Sequence, residues 1–208
     1  VSIARDGELL ALREHDSANY SHAEELHNFI KEALYATSIA FSDLEAIAVS
    51  KGPGSYTGLR IGVSAAKGLC FSLDLPLISV PTLESMAHQK KMGNFDFVIP
   101  VLDARRMEVY SAVFDANFNM VRETKAEIIT DISFLEFADN GKVLMLGSGA
   151  HKCKETLIHP NFEFDTAIVP SSREMVQLSH LKYKEKDFED LAYFEPFYLK
   201  DFILQGKR

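Results

Sequence analysis

The residues from which a metal or nucleophilic site would first be built are two cysteines and seven histidines, and their spacing does not build one. The histidines stand at 15, 22, 27, 88, 151, 159 and 180. His22 and His27 are separated by about 140° around a helix, so they cannot share a metal on one face. His151-x-Cys153 has no further ligand nearby. No Gly-x-Ser-x-Gly elbow and no Cys-His signature occurs. Ser55 and Ser148 each follow a glycine, where turn chemistry is the ordinary role. Asp103 with Arg105 and Arg106 forms a candidate ligand cleft, against the plainer reading of a turn acid beside a solvated strand residue, Glu108. An enzyme needs a positioned nucleophile, base or metal, and the residues alone assemble none: the catalytic and metal sets are empty.

The second chemical feature is a glycine loop, Gly52, Pro53, Gly54, Ser55, Tyr56 and Thr57, with Arg60 just beyond it. It joins a strand end to a helix start, where unpaired amides and the helix dipole can hold an anion. A tight turn requiring positive φ explains the same glycines. The loop is neither a Walker A motif, lacking the Lys-Ser/Thr pair, nor a dinucleotide fingerprint.

Elements must position these groups. Val1–Ala4 reads as a strand, Asp6-Gly7 as a hairpin turn, and Glu8–Arg13 as the returning strand. Ser21-x-x-Glu24 is a capping box for a helix over 21–36, and Ser42-x-x-Glu45 opens a single helical turn. Ala46–Ser50 suits a buried parallel strand. A long helix follows the glycine loop over 55–72, then a strand at Leu77–Val80 and a helix N-capped by Thr82. Gln89–Asn94 reads as a linker. Strands are then expected at Phe97–Leu102, Glu108–Phe114, Val121–Ile129 and Lys142–Leu146. Gly147-Ser-Gly149 turns into a helix, and Ser171-x-x-Glu174 caps a late one. Both halves thus run antiparallel strands first, then alternating helices and parallel strands. The expected architecture is α/β with two related lobes, residues 1–94 and 95–208.

Two helices carry apolar groups on more than one side. In the helix over 55–72, Gly58, Gly62 and Gly68 each cost roughly 1 kcal/mol relative to Ala, and with Ala65 they leave a backbone open to close approach. Ile61, Ala65 and Gly68 lie away from the face of Leu59, Val63, Ala66 and Cys70. In the helix over 21–36, Leu26, Phe29, Ile30 and Ala33 recur at helical spacing, and with Leu34 and Tyr35 they cover more than a narrow stripe. Such helices are either fully buried or partnered.

The chain has 208 residues, 22 Lys+Arg against 30 Asp+Glu, and a net charge of −8, which disfavours autonomous nucleic-acid binding. No apolar run approaches a membrane span, and Cys70 and Cys153, which form no CxxC and need not pair, favour a reducing cytoplasm. The chain opens with Val1 rather than Met, so residues are expected upstream.

Four blocks, Ser50-Lys-Gly-Pro-Gly-Ser-Tyr-Thr-Gly-Leu-Arg-Ile-Gly62, Val80-Pro-Thr-Leu-Glu84, Val101-Leu-Asp-Ala-Arg-Arg-Met-Glu-Val-Tyr110 and Pro196-Phe-Tyr-Leu-Lys200, closely resemble the bacterial TsaB (YeaZ) family. They run in order along nearly the whole chain. The resemblance implies an actin-like (ASKHA) fold of two lobes with duplicated topology, its first strand missing here. It implies a non-catalytic paralogue of TsaD, an accessory and dimerisation subunit in making threonylcarbamoyladenosine at position 37 of tRNA. TsaD and TsaE are the implied partners, with a homodimer when the chain is alone, tRNA held through the complex, and no membrane. The interface is implied on the helices over 21–36 and 55–72. TsaD's expected His-x-x-x-His metal pair has no counterpart after Val80, where Thr82-Leu-Glu-Ser-Met-Ala87 leads only to His88. No cofactor is implied for this chain; ATP or ADP would belong at the interface of the complex. Gly147-Ser-Gly-Ala150 stands where an actin-like fold contacts adenosine and matches that loop only in part. The competing reading is an independent ATP- or metal-dependent enzyme of the same fold, kinase or glycoprotease-like.

Overall fold

The computed structural model describes residues 1–15, 22–90 and 92–199, so the Ser21–Glu24 capping box and Lys200 lie outside the described residues. The chain begins with an antiparallel hairpin, β1 (Ser2–Arg5) and β2 (Glu8–Leu12). Its turn residues Asp6 and Gly7 have φ of 52° and 80°, the left-handed pair that a two-residue hairpin needs. α1 (His22–Thr37) packs across this hairpin. β3 (Ile47–Gly52) then leads through the glycine loop into α2 (Tyr56–Leu73), and β4 (Leu77–Pro81) returns parallel to β3. Val63, Ala66 and Cys70 of α2 bury themselves against this pair, together with Leu77 and Phe194.

The second half is built on five strands in the order β7-β6-β5-β8-β9: β5 (Phe97–Asp103), β6 (Glu108–Asp115), β7 (Met120–Ile128), β8 (Val143–Leu146) and β9 (Phe162–Asp165). β5, β6 and β7 form an antiparallel meander, while β8 and β9 run parallel to β5. Side chains alternate across this sheet with period two. Ile99, Val101 and Val109 meet the helices α4 (Leu135–Ala138) and α5 (Ala150–Thr156) on one face. Val98, Leu102, Leu144 and Leu146 meet α3 (Thr82–Ala87) on the other. The first half repeats the pattern with a break. Its antiparallel pair β1–β2 and its parallel pair β3–β4 are separate two-stranded sheets among the described residues, with no strand in the place that β5 takes in the second half.

α3 joins the two halves. It touches β3 and β4 on one side and β5 and β6 on the other, and Thr82, Leu83, Ser85, Met86 and Ala87 are all buried. The last helix, α6 (Met175–Glu185), crosses back to lie on β2, β3 and β4.

Three helix starts differ from their sequence patterns. Thr82 does not cap α3; Pro81 holds that position, and the Thr82 hydroxyl meets the Ser50 hydroxyl at 2.7 Å. The turn at Phe41–Asp43 is closed by Asp43, whose carboxylate accepts from the Ala40 amide at 2.9 Å, and not by Ser42 with Glu45. Glu174 occupies the N-cap of α6 without a capping bond, while Ser171 donates to Glu14 and accepts from the Arg173 amide. In each case a longer-range or better-placed partner outcompetes the local pairing that the spacing predicts. β3 is parallel as expected, yet only partly buried, with Ala48 exposed. Among the described residues, β9 is the one strand that the sequence reading omits. Its four residues alternate Phe162-Glu-Phe-Asp165, too short a run to stand out.

Met86 is fully buried between α3 and the second sheet. Met86→Ala is expected to cost about 2–5 kcal/mol by opening a cavity there, read as a shifted midpoint in urea unfolding. A loss under about 1 kcal/mol would show that the two halves do not depend on this contact.

Candidate functional site

Three of the four sequence blocks meet in space at the carboxyl end of β3. The Ser50 and Thr82 hydroxyls join the first block to the second. The amide of Phe197 donates to the carbonyl of Lys51 at 2.7 Å, joining the first block to the last. The ring of Tyr198 lies 4.9 Å from that of Tyr56, and the Arg60 guanidinium sits 5.4 Å from the Tyr56 ring centre and donates to its hydroxyl. The segment after α6 is thereby strapped over the first half. Glu189 pairs with Leu77 through the backbone and accepts from Ser79, and Lys67 donates to the carbonyls of Ala192 and Phe194.

This strap gives the glycine loop a role in packing. Gly52 has φ of 110°, and a Cβ there would lie 2.9 Å from the carbonyl oxygen of Phe197. The glycine is required by turn geometry and by the close approach of a second backbone. Ser55 caps α2, accepting from the Gly58 amide at 3.3 Å. Gly54 and Pro53 complete the turn, and Thr57 is exposed. The loop thus works as a packing joint.

The outer faces of α1 and α2 hold the candidate interface residues, and the structure sorts them. Ala33 is fully buried and belongs to the core instead of a surface. Gly62 is turned towards β3, where an added Cβ would touch Val49 at 3.8 Å. Leu26, Phe29 and Ile30 on α1 and Gly58, Ile61 and Ala65 on α2 are part-exposed. Gly68 is exposed, with open space where a Cβ would stand. Two aromatic side chains are far more exposed: Tyr35 on α1 at 89 %, which the sequence reading counts in the broad apolar face of that helix, and Phe71 on α2 at 83 %, which it omits. Phe71 lies three residues beyond Gly68, hence on the same outward side of the helix, and that spacing is the signal that could have found it. Large exposed aromatics beside small residues make a surface suited to burial under a partner.

The catalytic inventory stays short. Asp103 is committed within the chain: its carboxylate accepts from the Arg105 amide at 2.6 Å and from Lys152 Nζ at 2.9 Å. Burial pushes this carboxyl up, but the bonds from Lys152 and the Arg105 amide outweigh that and hold it below the usual range. Asp103 is therefore the turn acid and not a free ligand; Arg105 and Arg106 are exposed. Burial raises Glu84, with Lys182 and Lys51 pulling it back. Burial also pushes the thiols of Cys70 and Cys153 up to about 11 and about 12, so neither is a nucleophile at neutral pH. His88 follows α3, stacked on Phe118 with ring centres 4.3 Å apart. Among the described residues no three His, Cys, Asp or Glu side chains are grouped to hold a metal.

Comparisons with known proteins agree on one group. Residues 16–201 match the family described as "TsaD: tRNA N6-adenosine threonylcarbamoyltransferase". The chain is 24% identical, over 91% of its own length and 84% of the relative's, to a "tRNA threonylcarbamoyladenosine biosynthesis protein TsaB" of Haemophilus influenzae. A protein of the same description from Bacillus subtilis is 49% identical over 36% of the chain and 33% of that relative. A crystal structure from Pseudomonas aeruginosa, titled as an uncharacterized protein with similarity to peptidase YEAZ, superposes with a TM-score of 0.77 at 23% identity. It covers 86% of this chain and 84% of that one.

Gly52→Ala is expected to destabilise the chain by about 2–3 kcal/mol, from positive-φ strain plus the contact with Phe197. Urea unfolding gives the magnitude. Limited proteolysis should show faster cleavage in the strap after α6, and an unchanged cleavage pattern would contradict the joint.

Proposed function

The chain belongs to the TsaD family, in its TsaB (YeaZ) branch with the actin-like fold, and from that premise we propose that it is an accessory subunit in making threonylcarbamoyladenosine on tRNA. The observation that carries this is the likeness to TsaB running along nine-tenths of the chain. The lone, stacked His88 supports a subunit that leaves metal and transfer chemistry to TsaD. In this reading the chain contributes the outer faces of α1 and α2 to TsaD, and to a second copy of itself when alone. TsaE is a further partner, and any ATP or ADP belongs to the interface of the complex. Its net charge of −8 leaves the tRNA phosphates to basic partner surfaces. The setting is the cytoplasm, where the tRNA substrate is; among the described residues no helix is long and apolar enough to cross a membrane.

Reconstitution tests the role. TsaD and TsaE of the same organism, given tRNA and the threonylcarbamoyl donor, are expected to form modified tRNA at least about tenfold faster with this chain present, a coupling near 1.4 kcal/mol. The chain alone should form none. Stoichiometric metal in the pure chain, tight ATP binding by it, or unchanged rates without it would move the protein to the independent-enzyme reading.

Surface variants test the contact. Ala65→Glu and Gly68→Arg should weaken co-purification with TsaD by about tenfold or more, and Phe71→Ala should cost roughly 2 kcal/mol of affinity. Gly68→Arg should meanwhile raise the melting temperature slightly, because Arg is the better helix former. Undiminished binding by all three would place the contact elsewhere.

A further inference from the structure

The β5–β6 hairpin is strained where glycine eases the first. Its loop is Arg105-Arg106-Met107, closed by the Ala104 amide on the Glu108 carbonyl, and Arg105 and Arg106 have φ of 69° and 52°. A Cβ is strained at each of these left-handed positions. The β1–β2 turn supplies Asp6-Gly7; this one supplies two arginines.

The conformation is held from below by Lys152, whose side chain is 13 % exposed. Its ammonium donates to the Asp103 carboxylate, to the Arg106 carbonyl at 2.6 Å and to the Glu108 carbonyl at 3.0 Å. Asp103 in turn holds the Arg105 amide. A partly buried cation thus fixes a strained turn. What the turn presents is a pair of exposed guanidiniums, and no described side chain pairs with either. Strain maintained by surrounding structure marks positions kept for something other than stability.

The neighbourhood mixes exposed apolar groups with the carboxylates of Asp103 and Asp131. Met107 follows in the same turn and is 42 % exposed. Its carbonyl accepts from the Ile129 amide, which brings the end of β7 alongside. There Ile128, in register with Glu108, is 68 % exposed, and Ile132 is 73 % exposed. Among the described residues no exposed aromatic side chain lies between 103 and 132.

We infer that this end of the second sheet is a docking surface for a protein partner that presents paired carboxylates beside an apolar ridge. Arginine forks bind carboxylates bidentately, and Arg, Met and Ile together have the composition of an interface centre rimmed by charge. RNA is the poorer complement. Backbone binding wants many cations, and single-stranded binding wants stacking rings; the turn displays two arginines, no exposed aromatic side chain lies between 103 and 132 among the described residues, and the chain has a net charge of −8. The surface is on a different sheet from α1 and α2 and does not depend on the proposed role of those helices.

The experiment uses the whole chain with two probes. One is a synthetic helical peptide with Glu pairs flanking a Leu stripe; the other is unmodified tRNA. The peptide is expected to bind with an affinity that falls as salt rises. Arg105→Glu/Arg106→Glu should weaken it about tenfold or more, and Ile128→Ser should weaken it several-fold. The informative variant is Arg105→Asn/Arg106→Gly, expected to lose peptide binding while melting a few degrees higher, because it relieves the turn. Folding failure cannot produce that combination. The inference is overturned by any of four results: no peptide binding, binding indifferent to the arginines, a melting temperature that does not rise, or tRNA as the probe that the arginines hold.

Discussion

Everything in this molecule is referred to the burial of one short helix between two sheets. α3 has only six residues, too few to be stable alone, and five of them are buried. Its helical form is imposed by β3 and β4 on one side and β5 and β6 on the other. Because Met86 and Leu83 fill the face of the second sheet while Thr82 bonds across to Ser50, the halves cannot shift independently without opening a cavity or unpairing a hydroxyl. The glycine loop, the strap after α6 and the β5–β6 hairpin all take their positions from that packing.

The strap is the second constraint. Residues beyond α6 return to the first half and are tied down by backbone bonds at Leu77 and Lys51 and by Lys67. Bonds between main-chain groups carry little sequence signal, since any residue but proline can donate them. What remains visible in sequence is their steric consequence, the glycine at position 52. The sequence therefore announces a glycine loop, and its length and motif suggest an anion cradle as readily as a joint. Only the position of Phe197 shows that a second backbone fills the space a side chain would need.

The duplicated outline was legible because periodicity and turn chemistry are local. The antiparallel meander, the parallel strands and the long helices fall where alternation and helical spacing put them. The breaks in legibility share one physical cause. Thr82 and Ser171 each have a nearby partner by spacing and a different partner in space, and the tertiary contact prevails; at Ser42 a neighbouring residue, Asp43, closes the turn in its place. Ala33 and Gly62 are indistinguishable by type from the other small residues of α1 and α2, yet one is core and the other faces Val49. Phe71 reads as one more apolar residue of a long helix until its exposure is known.

Residue types and spacing by themselves determined the α/β architecture and its duplicated outline, and four motif blocks in register carried the family resemblance. Each of these is written in local pattern or in motifs kept in register. Tertiary structure alone decided which apolar residues are surface and which are core, that the glycine loop is a packing joint, that Asp103 is used up inside a turn, and that Arg105 and Arg106 stand in strained, unpaired display. Those are questions of what lies opposite a side chain. Chain spacing does not contain the answer, because the deciding neighbours, such as Phe197 for Gly52, come from the far end of the sequence.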